Sequence, residues 1–476
     1  MMNNRITVAY GDGIGPEIME SVLQILSHAK TGLEVETIEI GEKIYNKGFS
    51  SGISDDVWEV IKRNKVLLKA PITTPLGKGY KSLNVTFRRS LGLFANIRPS
   101  LSYYPFVGKF KNMDVVIVRE NEEDLYSGIE YRFTQNANIA MKLISTSGCE
   151  KIIRYAFEYA KINKRNKVTC VTKSNILKIS DGCFQEIFLK IAPEYPDIKV
   201  EHMLVDIASA KLANNPENFD VIVTLNLYGD IMSDIASEVS GSVGLAGSAN
   251  IGKEYAMFEA VHGSAPDIAG KNIANPSGLL NSAVMMLKHL GKNHEAEMIY
   301  NAWLKTIEEG FHTADIFNPE KSTKKLSTSE FTQAVIDNFN NKPSLLISKF
   351  QSATNERILI KETLNNNEKS ELIGVDIFIK TQFTPELIAK LQKLDDILKL
   401  HMVSNRGLLI WPKALRNAEL DFSRFRFLKA KKEYRISQSN VLELYKKIVE
   451  LDLDIVSIIN LFSYDDNIGF SLAQGE

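Results

Sequence analysis

The sequence predicts an α/β protein, with a large and a small α/β domain in the first two-thirds of the chain and a separate α+β domain at the end. Three observations predict it. The chain has 476 residues, more than one compact core holds at about 100–200 residues per domain. Up to about Asn338, short β-branched runs alternate with patterns of helical period, the signature of an α/β architecture. Beyond it, the polar stretches at 340–342 and 365–370 read as linkers and introduce a second α+β pattern.

The elements follow in order. Arg5–Tyr10 reads as a buried strand running into the turn Gly11-Asp-Gly-Ile-Gly-Pro-Glu17. The helix after it repeats Ile18, Val22, Ile25 and Leu26 at helical spacing. Glycines in that turn permit positive φ and close backbone approach, but their spacing is not the Gly-x-Gly-x-x-Gly of a Rossmann nucleotide site. Val66–Ala70, Val115–Arg119, Lys167–Thr172 and Val221–Leu225 read as further strands, and Thr146–Lys161, Pro276–Gly291 and His294–Glu309 as helices. Asn275 before Pro276 marks a helix start, because proline in the first turn gives up no needed N–H.

In the last segment, strands are expected at Leu372–Lys380, Leu398–Val403, Leu408–Trp411, Phe425–Ala430, Asp454–Phe462 and Gly469–Leu472. Helices are expected at Thr384–Leu394, with Thr384 as cap and Pro385 in the first position, and at Ser439–Leu451. No catalytic residue types cluster there, which points to an oligomer or stability module.

Bulk properties exclude some functions. Hydrophobic residues make up 44% and charged residues 24%, and the net charge of −1 supplies no bulk field for nucleic acid or an anionic membrane. No apolar run approaches the ~18–20 residues of a membrane span. The opening MMNNRITVAYGDG lacks a charged-then-apolar leader, so a cytoplasmic protein is expected. Cys149, Cys170 and Cys183 lack CxxC spacing and are expected to be reduced structural residues.

The chemistry concentrates in a few stretches. Lys69-Ala-Pro-Ile-Thr-Thr-Pro, Lys81-Ser-Leu-Asn-Val-Thr-Phe-Arg-Arg and Ala95-Asn-Ile-Arg-Pro99 mix hydroxyls, amides and arginines after a strand. Arginine forks pair bidentately with carboxylates. Arg88, Arg98 and Arg119 together could neutralise a tricarboxylate, and Ser82 and Asn84 could add hydrogen bonds. Tyr126 closes the acidic run Arg119-Glu-Asn-Glu-Glu-Asp-Leu-Tyr126, and Lys173 sits at a strand end; alone, such residues are more often packing or solvated. Asp206, Asp230 and Asp234 supply three carboxylates, with Asp230 and Asp234 on one side of a helix. Hard oxygen ligands without His or Cys suit Mg²⁺ or Mn²⁺. Finally, a loop of small residues, Phe258-Glu-Ala-Val-His262-Gly-Ser-Ala-Pro-Asp267-Ile268 and on to Asn275, could wrap a nucleotide through its backbone.

Together and in this order, these stretches resemble the isocitrate/isopropylmalate dehydrogenase family over roughly Arg5 to Asn338, and in particular its longer isocitrate dehydrogenases with a C-terminal extension. The resemblance implies that family's non-Rossmann fold. It divides the chain into a large cofactor-binding domain (1–98 and 250–341), a small domain with a dimer clasp (99–249), a linker (342–370) and the extension (371–476). It implies metal-dependent oxidative decarboxylation of isocitrate to 2-oxoglutarate in the tricarboxylic acid cycle, by a homodimer with shared active sites.

Residue by residue, the Ser-x-Asn-x-x-x-Arg pattern that goes with isocitrate is reproduced by Ser82, Asn84 and Arg88, joined by Arg98 and Arg119. Tyr126 is implied as general acid to carbon and Lys173 as proton relay at the substrate hydroxyl, reaching the partner's site. Asp230 and Asp234 of one subunit and Asp206 of the other would hold Mg²⁺ or Mn²⁺. Thr73, His262, Gly263, Ser264, Ala265, Pro266, Asp267, Ile268 and Asn275 fall on the cofactor site. NADP-dependent members typically carry Lys-Tyr where this chain has Asp267-Ile268, and their further Tyr and Arg fall on Ala314 and Asn318. A carboxylate there accepts ribose hydroxyls and repels a 2′-phosphate, so NAD is expected in preference to NADP.

Two rivals remain. Isopropylmalate or tartrate/malate oxidation shares the Asp-Ile loop, though Ser82 and Asn84 argue against it. A non-catalytic regulatory subunit would lose catalytic residues, which are present here.

Overall fold

The computed structural model describes residues 4–49, 52–74, 82–346, 358, 360–361, 363, 367–381, 383–413 and 419–476. Lys81 and much of the expected linker lie outside the described residues. The chain forms two compact units: Met1–Ser127, Leu143–Ile176 and Ser180–Thr363 make the first, and Gly128–Lys142, Leu177–Ile179 and Leu364–Glu476 the second.

Strands β1 (Arg5–Ala9), β2 (Glu34–Ile38), β3 (Val66–Lys69), β4 (Ala95–Leu101) and β5 (Asp114–Glu120) open the chain. A hairpin, β6 (Asp124–Arg132) and β7 (Asn138–Leu143), precedes β8 (Lys167–Thr172), β9 (Lys199–Leu204), β10 (Val221–Thr224), β11 (Gly247–Ile251) and β12 (Ala256–Ala260). All but the hairpin join one ten-stranded sheet in the order β2-β1-β3-β12-β11-β4-β5-β10-β8-β9. Its two wings are parallel, while β12-β11-β4-β5 at the centre run antiparallel. Strands such as β3 and β10 are buried at every residue, which explains their unbroken apolar runs.

The predicted strands and helices of this unit form within a residue or two of their expected ends. Asn275 is the start signal it was read to be: its side-chain oxygen accepts from Ser277 N at 2.9 Å as the helix Ser277–His289 begins. On that side of the sheet, Trp303 is fully buried, stands edge-on to Tyr103 at 4.9 Å and donates to Ser277 Oγ at 2.9 Å. Phe311–His312 (β13) and Lys324–Lys325 (β14) add a short parallel pair.

The second unit is built on an antiparallel sheet. Its strands are β15 (Ser370–Lys380), β16 (Leu398–Asn405), β17 (Leu408–Trp411), β18 (Ser423–Lys429), β19 (Asp454–Tyr464) and β20 (Asn467–Ile468), in the order β17-β16-β18-β15-β19-β20. The helices Pro385–Gln392 and Gln438–Val449 contribute Ile388, Leu391, Val441, Leu444 and Ile448 to its core. The strand expected at Gly469–Leu472 does not form. Asp465 and Asp466 both take positive φ and make a two-residue turn, so the return strand is Asn467–Ile468, with Ile468 opposite Ser463. The tip of the β6–β7 hairpin belongs to this unit: Phe133 stands edge-on to Phe378 at 5.6 Å, and Thr134 Oγ1 donates to Asp421 at 2.9 Å. No helix among the described residues is long and apolar enough to cross a membrane.

Candidate functional site

The site is set by the antiparallel pairing of β4 and β5. Asn96 pairs with Arg119 in the register, and Arg98 lies two residues along from Asn96, so all three share a face. The helix Asn226–Ser240 covers that face and receives both guanidinium groups. Arg119 donates Nε and Nη2 to Asn226 Oδ1 at 3.0 and 2.8 Å, and Nη1 to Asp230. Arg98 donates Nη1 to Asp230 Oδ1 at 3.0 Å and to Ser233 Oγ at 2.6 Å, and Nε to Asn96 Oδ1 at 2.6 Å. Gly229 is required here, because a Cβ would meet Arg119 Cγ at 2.5 Å.

A third arginine arrives from the helix Leu83–Ser90. Arg88 Nη2 donates to Glu259 Oε1 at 3.1 Å, and Lys69 Nζ pairs with Glu259 Oε2 at 2.7 Å. Burial alone would raise the Glu259 carboxyl, but Lys69 and Arg88 outweigh it and hold it well below the carboxylate range. Two polar atoms beside this pair, Arg88 Nε and Asn84 Oδ1, are buried without a hydrogen-bond partner. Ser82 opens the same helix and accepts from Thr74 Oγ1 at 3.5 Å. Burial pushes the Arg119 guanidinium down to about 9, and Arg98 and Arg88 push it the same way. Three buried cations that disfavour one another, beside unsatisfied donors and acceptors, create demand for a polyanion.

Tyr126 reaches this cluster from β6. Its hydroxyl donates to Asp230 Oδ2, and the Arg119 guanidinium lies 5.0 Å from its ring centre. Burial raises its pKa, so the phenol keeps its proton at neutral pH.

The three candidate metal ligands do not meet within one chain. Among the described residues no group of three or more His, Cys, Asp or Glu could hold a metal ion. Asp230 is drawn to the arginines, and Asp234 lies four residues on, 3.8 Å from Arg98. The Asp234 side chain is 65% exposed, and its carboxyl is raised by partial desolvation and by Asp230 against the pull of Arg98. Asp206 lies elsewhere, ion-paired with Lys173 at 2.9 Å and 64% exposed on its side chain. Asp230 and Asp234 offer hard oxygen donors of the kind that suits a divalent cation, while Asp206 does not join them in this chain.

The small-residue loop is pinned to the first turn of the chain. Ile14 N donates to Ser264 O at 2.8 Å, and a Cβ on Gly13 would meet that carbonyl at 2.0 Å. Thr73 Oγ1 bonds Ser264 Oγ at 2.8 Å, and Thr73 N donates to Asp12 Oδ2 at 3.0 Å. The Gly11–Glu17 turn thus seats the loop. Ala265 takes φ of +37°, and Pro266–Ile268 form a 3₁₀ turn that leaves Gly263, Pro266 and Asp267 exposed and Ile268 half-buried. His262 has its Nε2 buried without a partner, and Asn275 donates to Asp315 Oδ2 at 3.0 Å. An orphaned ring nitrogen beside exposed backbone suits a cofactor with its own donors and acceptors.

Sequence reasoning assigned no role to Asn226, Glu259 or Asp12. Each carried a signal: Asn226 opens the helix of the acid pair, Glu259 is an acid inside an apolar strand, and Asp12 lies between two turn glycines.

The family described as Isocitrate/isopropylmalate dehydrogenase matches residues 5–335, and that described as Bacterial isocitrate dehydrogenase, C-terminal domain, matches residues 370–476. The chain is similar to "Isocitrate dehydrogenase [NADP]" of Rickettsia bellii, 54% identical over 99% of both chains. It is 40% identical to the enzyme of the same description from Thermus thermophilus, over 99% of this chain and 96% of that one. A crystal structure of a Thermus thermophilus protein, also 40% identical, superposes with a TM-score of 0.92 over 99% of this chain and 96% of that one.

These relatives overturn the expectation of NAD. Similar chains along the whole length are described as NADP enzymes, so Asp267-Ile268 does not mark an NAD enzyme. The physical reason lies in exposure. Asp267 stands in solvent with the exposed Lys271 four residues on, and a lone solvated carboxylate, screened by salt, does not fix the sign of the field a phosphate meets.

Proposed function

The chain belongs to the isocitrate/isopropylmalate dehydrogenase family, and from that premise we propose that it oxidises and decarboxylates isocitrate to 2-oxoglutarate and CO₂ with NADP, a step of the tricarboxylic acid cycle. The observation that carries this reading is the meeting of buried Arg88, Arg98 and Arg119 beside the unpartnered Arg88 Nε and Asn84 Oδ1. A tricarboxylate satisfies the cations, and Ser82 with Asn84 orients it.

When bound, NADP would supply the hydride acceptor, and a divalent cation held by Asp230 and Asp234 would supply Lewis acidity. Lys173 takes part in the relay that carries the hydroxyl proton away, and the phenol of Tyr126 protonates the carbon left by CO₂. Arg98 and Arg119 hold Asp230 ionised: burial would raise its carboxyl, but the two guanidinium groups keep it low. Thr73, His262 to Ile268 and Asn275 line the cofactor's place.

Lys173 and Asp206 act as a pair in the site of a second copy, so the working unit is a homodimer. The exposed Ile176, Ile207 and Ile231, at 67%, 49% and 51%, are apolar surface close in sequence to these ligands and suit such a contact.

Steady-state assays with isocitrate and isopropylmalate, each with NADP and NAD, test the reading. Turnover of isocitrate with NADP that stops on chelation and returns with Mg²⁺ or Mn²⁺ is expected. Preference for isopropylmalate, or activity indifferent to chelation, would sink it.

A further inference from the structure

Two buried carboxylates lie beside this machinery with no part yet assigned in it. Asp124 and Asp181 are both 0% exposed, an expensive place for a charge unless its hydrogen bonds are made. Each bonds an element that carries a reacting side chain. Asp124, two residues before Tyr126 and in a left-handed conformation at φ +67°, accepts from Leu227 N at 2.8 Å. Asp181 accepts from the backbone N of Lys173 at 2.6 Å and is hydrogen-bonded by the Tyr228 hydroxyl.

Leu227 and Tyr228 are neighbours in the first turn of the helix Asn226–Ser240. Asn226, just before them, takes two bonds from Arg119, and Asp230, one turn on, accepts from Tyr126. One helical turn therefore fixes the strand of Arg119, the start of the strand that carries Tyr126 and the strand end of Lys173. Charge-assisted bonds to backbone N–H groups fix a peptide more tightly than neutral ones.

We propose that Asp124 and Asp181 are positioning residues of the reaction, tying the Tyr126 strand and the Lys173 loop to that single turn. Asp124 sets the proton donor to carbon, and Asp181 with Tyr228 sets the proton relay at the hydroxyl. This rests on the roles given above to Tyr126 and Lys173. Because Lys173 serves a second copy, the turn also links the chemistry of two sites in a dimer.

The test uses the full-length protein with saturating NADP and Mg²⁺. Asp181→Asn is expected to lower kcat for isocitrate at least tenfold with KM within about threefold, and Asp181→Glu to recover part of the loss. Tyr228→Phe, which removes only the hydroxyl, is expected to give a weaker loss of the same kind and serves if Asp181→Asn fails to fold. Asp124→Asn is expected to slow enzyme-catalysed exchange of the C3 hydrogens of 2-oxoglutarate with D₂O more than Asp181→Asn does. Folded variants at Asp181, Tyr228 and Asp124 with wild-type kcat and exchange would overturn the inference, as would losses confined to KM. Wild-type turnover by Lys173→Met and Tyr126→Phe would instead overturn the roles on which it rests.

Discussion

Tyr126 and Arg119 share one carboxylate: the phenol hydroxyl donates to Oδ2 of Asp230, and the guanidinium donates to its Oδ1. The acid is thus held by its acceptor at one end and by a cation near its ring at the other. Removing the hydroxyl alone separates proton donation from this scaffold. Tyr126→Phe is expected to reduce kcat for decarboxylation by roughly 10²-fold, the usual worth of a placed general acid. Isocitrate KM should change little, because Arg88, Arg98 and Arg119 stay in place. Rapid-quench or steady-state kinetics with isocitrate checks it; an unchanged kcat contradicts the assignment.

Glu259 ties Lys69 to Arg88 in the core, all three at 6% exposure or less. Glu259→Gln removes the carboxylate between two buried cations and is expected to destabilise the protein by about 3–5 kcal/mol, the range for breaking a buried pair. The carboxyl titrates well below its ordinary value. Its stabilisation is therefore full above the unfolded value near ~4.3 and is lost only as pH falls through the lower folded value. Urea unfolding of both proteins should show a constant gap from neutral pH to mild acid, closing in stronger acid. A gap that closes already at neutral pH would mean that another group carries it.

Much of this was legible in the sequence, and the reason is local. Strands such as Val66–Lys69 and Lys167–Thr172 are apolar runs bounded by polar residues, and Asn275-Pro276 carries its own cap chemistry. The spacing of Ser82, Asn84 and Arg88 could be read directly because it is local: it spans the N-cap and the helix Leu83–Ser90. Long-range partners could not be read. Nothing in the local pattern brings Glu259 to Lys69 or Asn226 to Arg119; the pairing of β12 with β3 and of β10 with β5 makes those neighbours. The cofactor reading failed for a related reason: Asp267-Ile268, Ala314 and Asn318 were asked to stand for a whole phosphate site, whose charge is set by groups that the fold brings from elsewhere in the chain.

Asp234, a ligand in the proposed metal site, stands between opposing charges. Partial desolvation raises its carboxyl, and the nearby Asp230 raises it further against the pull of Arg98. A cation competes with protons for this carboxylate, so activity at limiting Mg²⁺ is expected to climb with pH through the acid range more steeply than at saturating Mg²⁺. Asp234→Asn should raise the Mg²⁺ concentration for half-activity by roughly 10-fold or more, in the range seen when ligand support is lost. Mg²⁺ titrations at two pH values measure both effects, and identical titrations would remove Asp234 from the metal site.

The three cysteines are free, as expected, but they are not equivalent. Cys183 is hydrogen-bonded to Cys149, and this contact lowers its thiol to about 7, while burial raises Cys170 well above its ordinary value. Thiolate is the nucleophile. Iodoacetamide at neutral pH is expected to label Cys183 first, with a rate that rises as pH passes about 7 and then levels. Peptide mass spectrometry after short exposures checks the order; first labelling at Cys170 contradicts it.

Asp267 provides the last prediction, because it was the residue that misled. It is exposed on the Pro266–Ile268 turn, so replacing it moves no buried group. If its carboxylate merely tolerates a 2′-phosphate, a cation in its place should add attraction without altering isocitrate binding. Asp267→Lys is expected to raise kcat/KM for NADP by about 3–10-fold, consistent with one partly solvated charge pair of about 1 kcal/mol. The value for NAD should fall or stay level, and KM for isocitrate should hold. The gain should shrink as salt is added, since an exposed pair is screened. Parallel assays with both cofactors at low and high ionic strength settle it. A gain for NAD, or one insensitive to salt, would place Asp267 away from the phosphate and return the search for its partners to other residues.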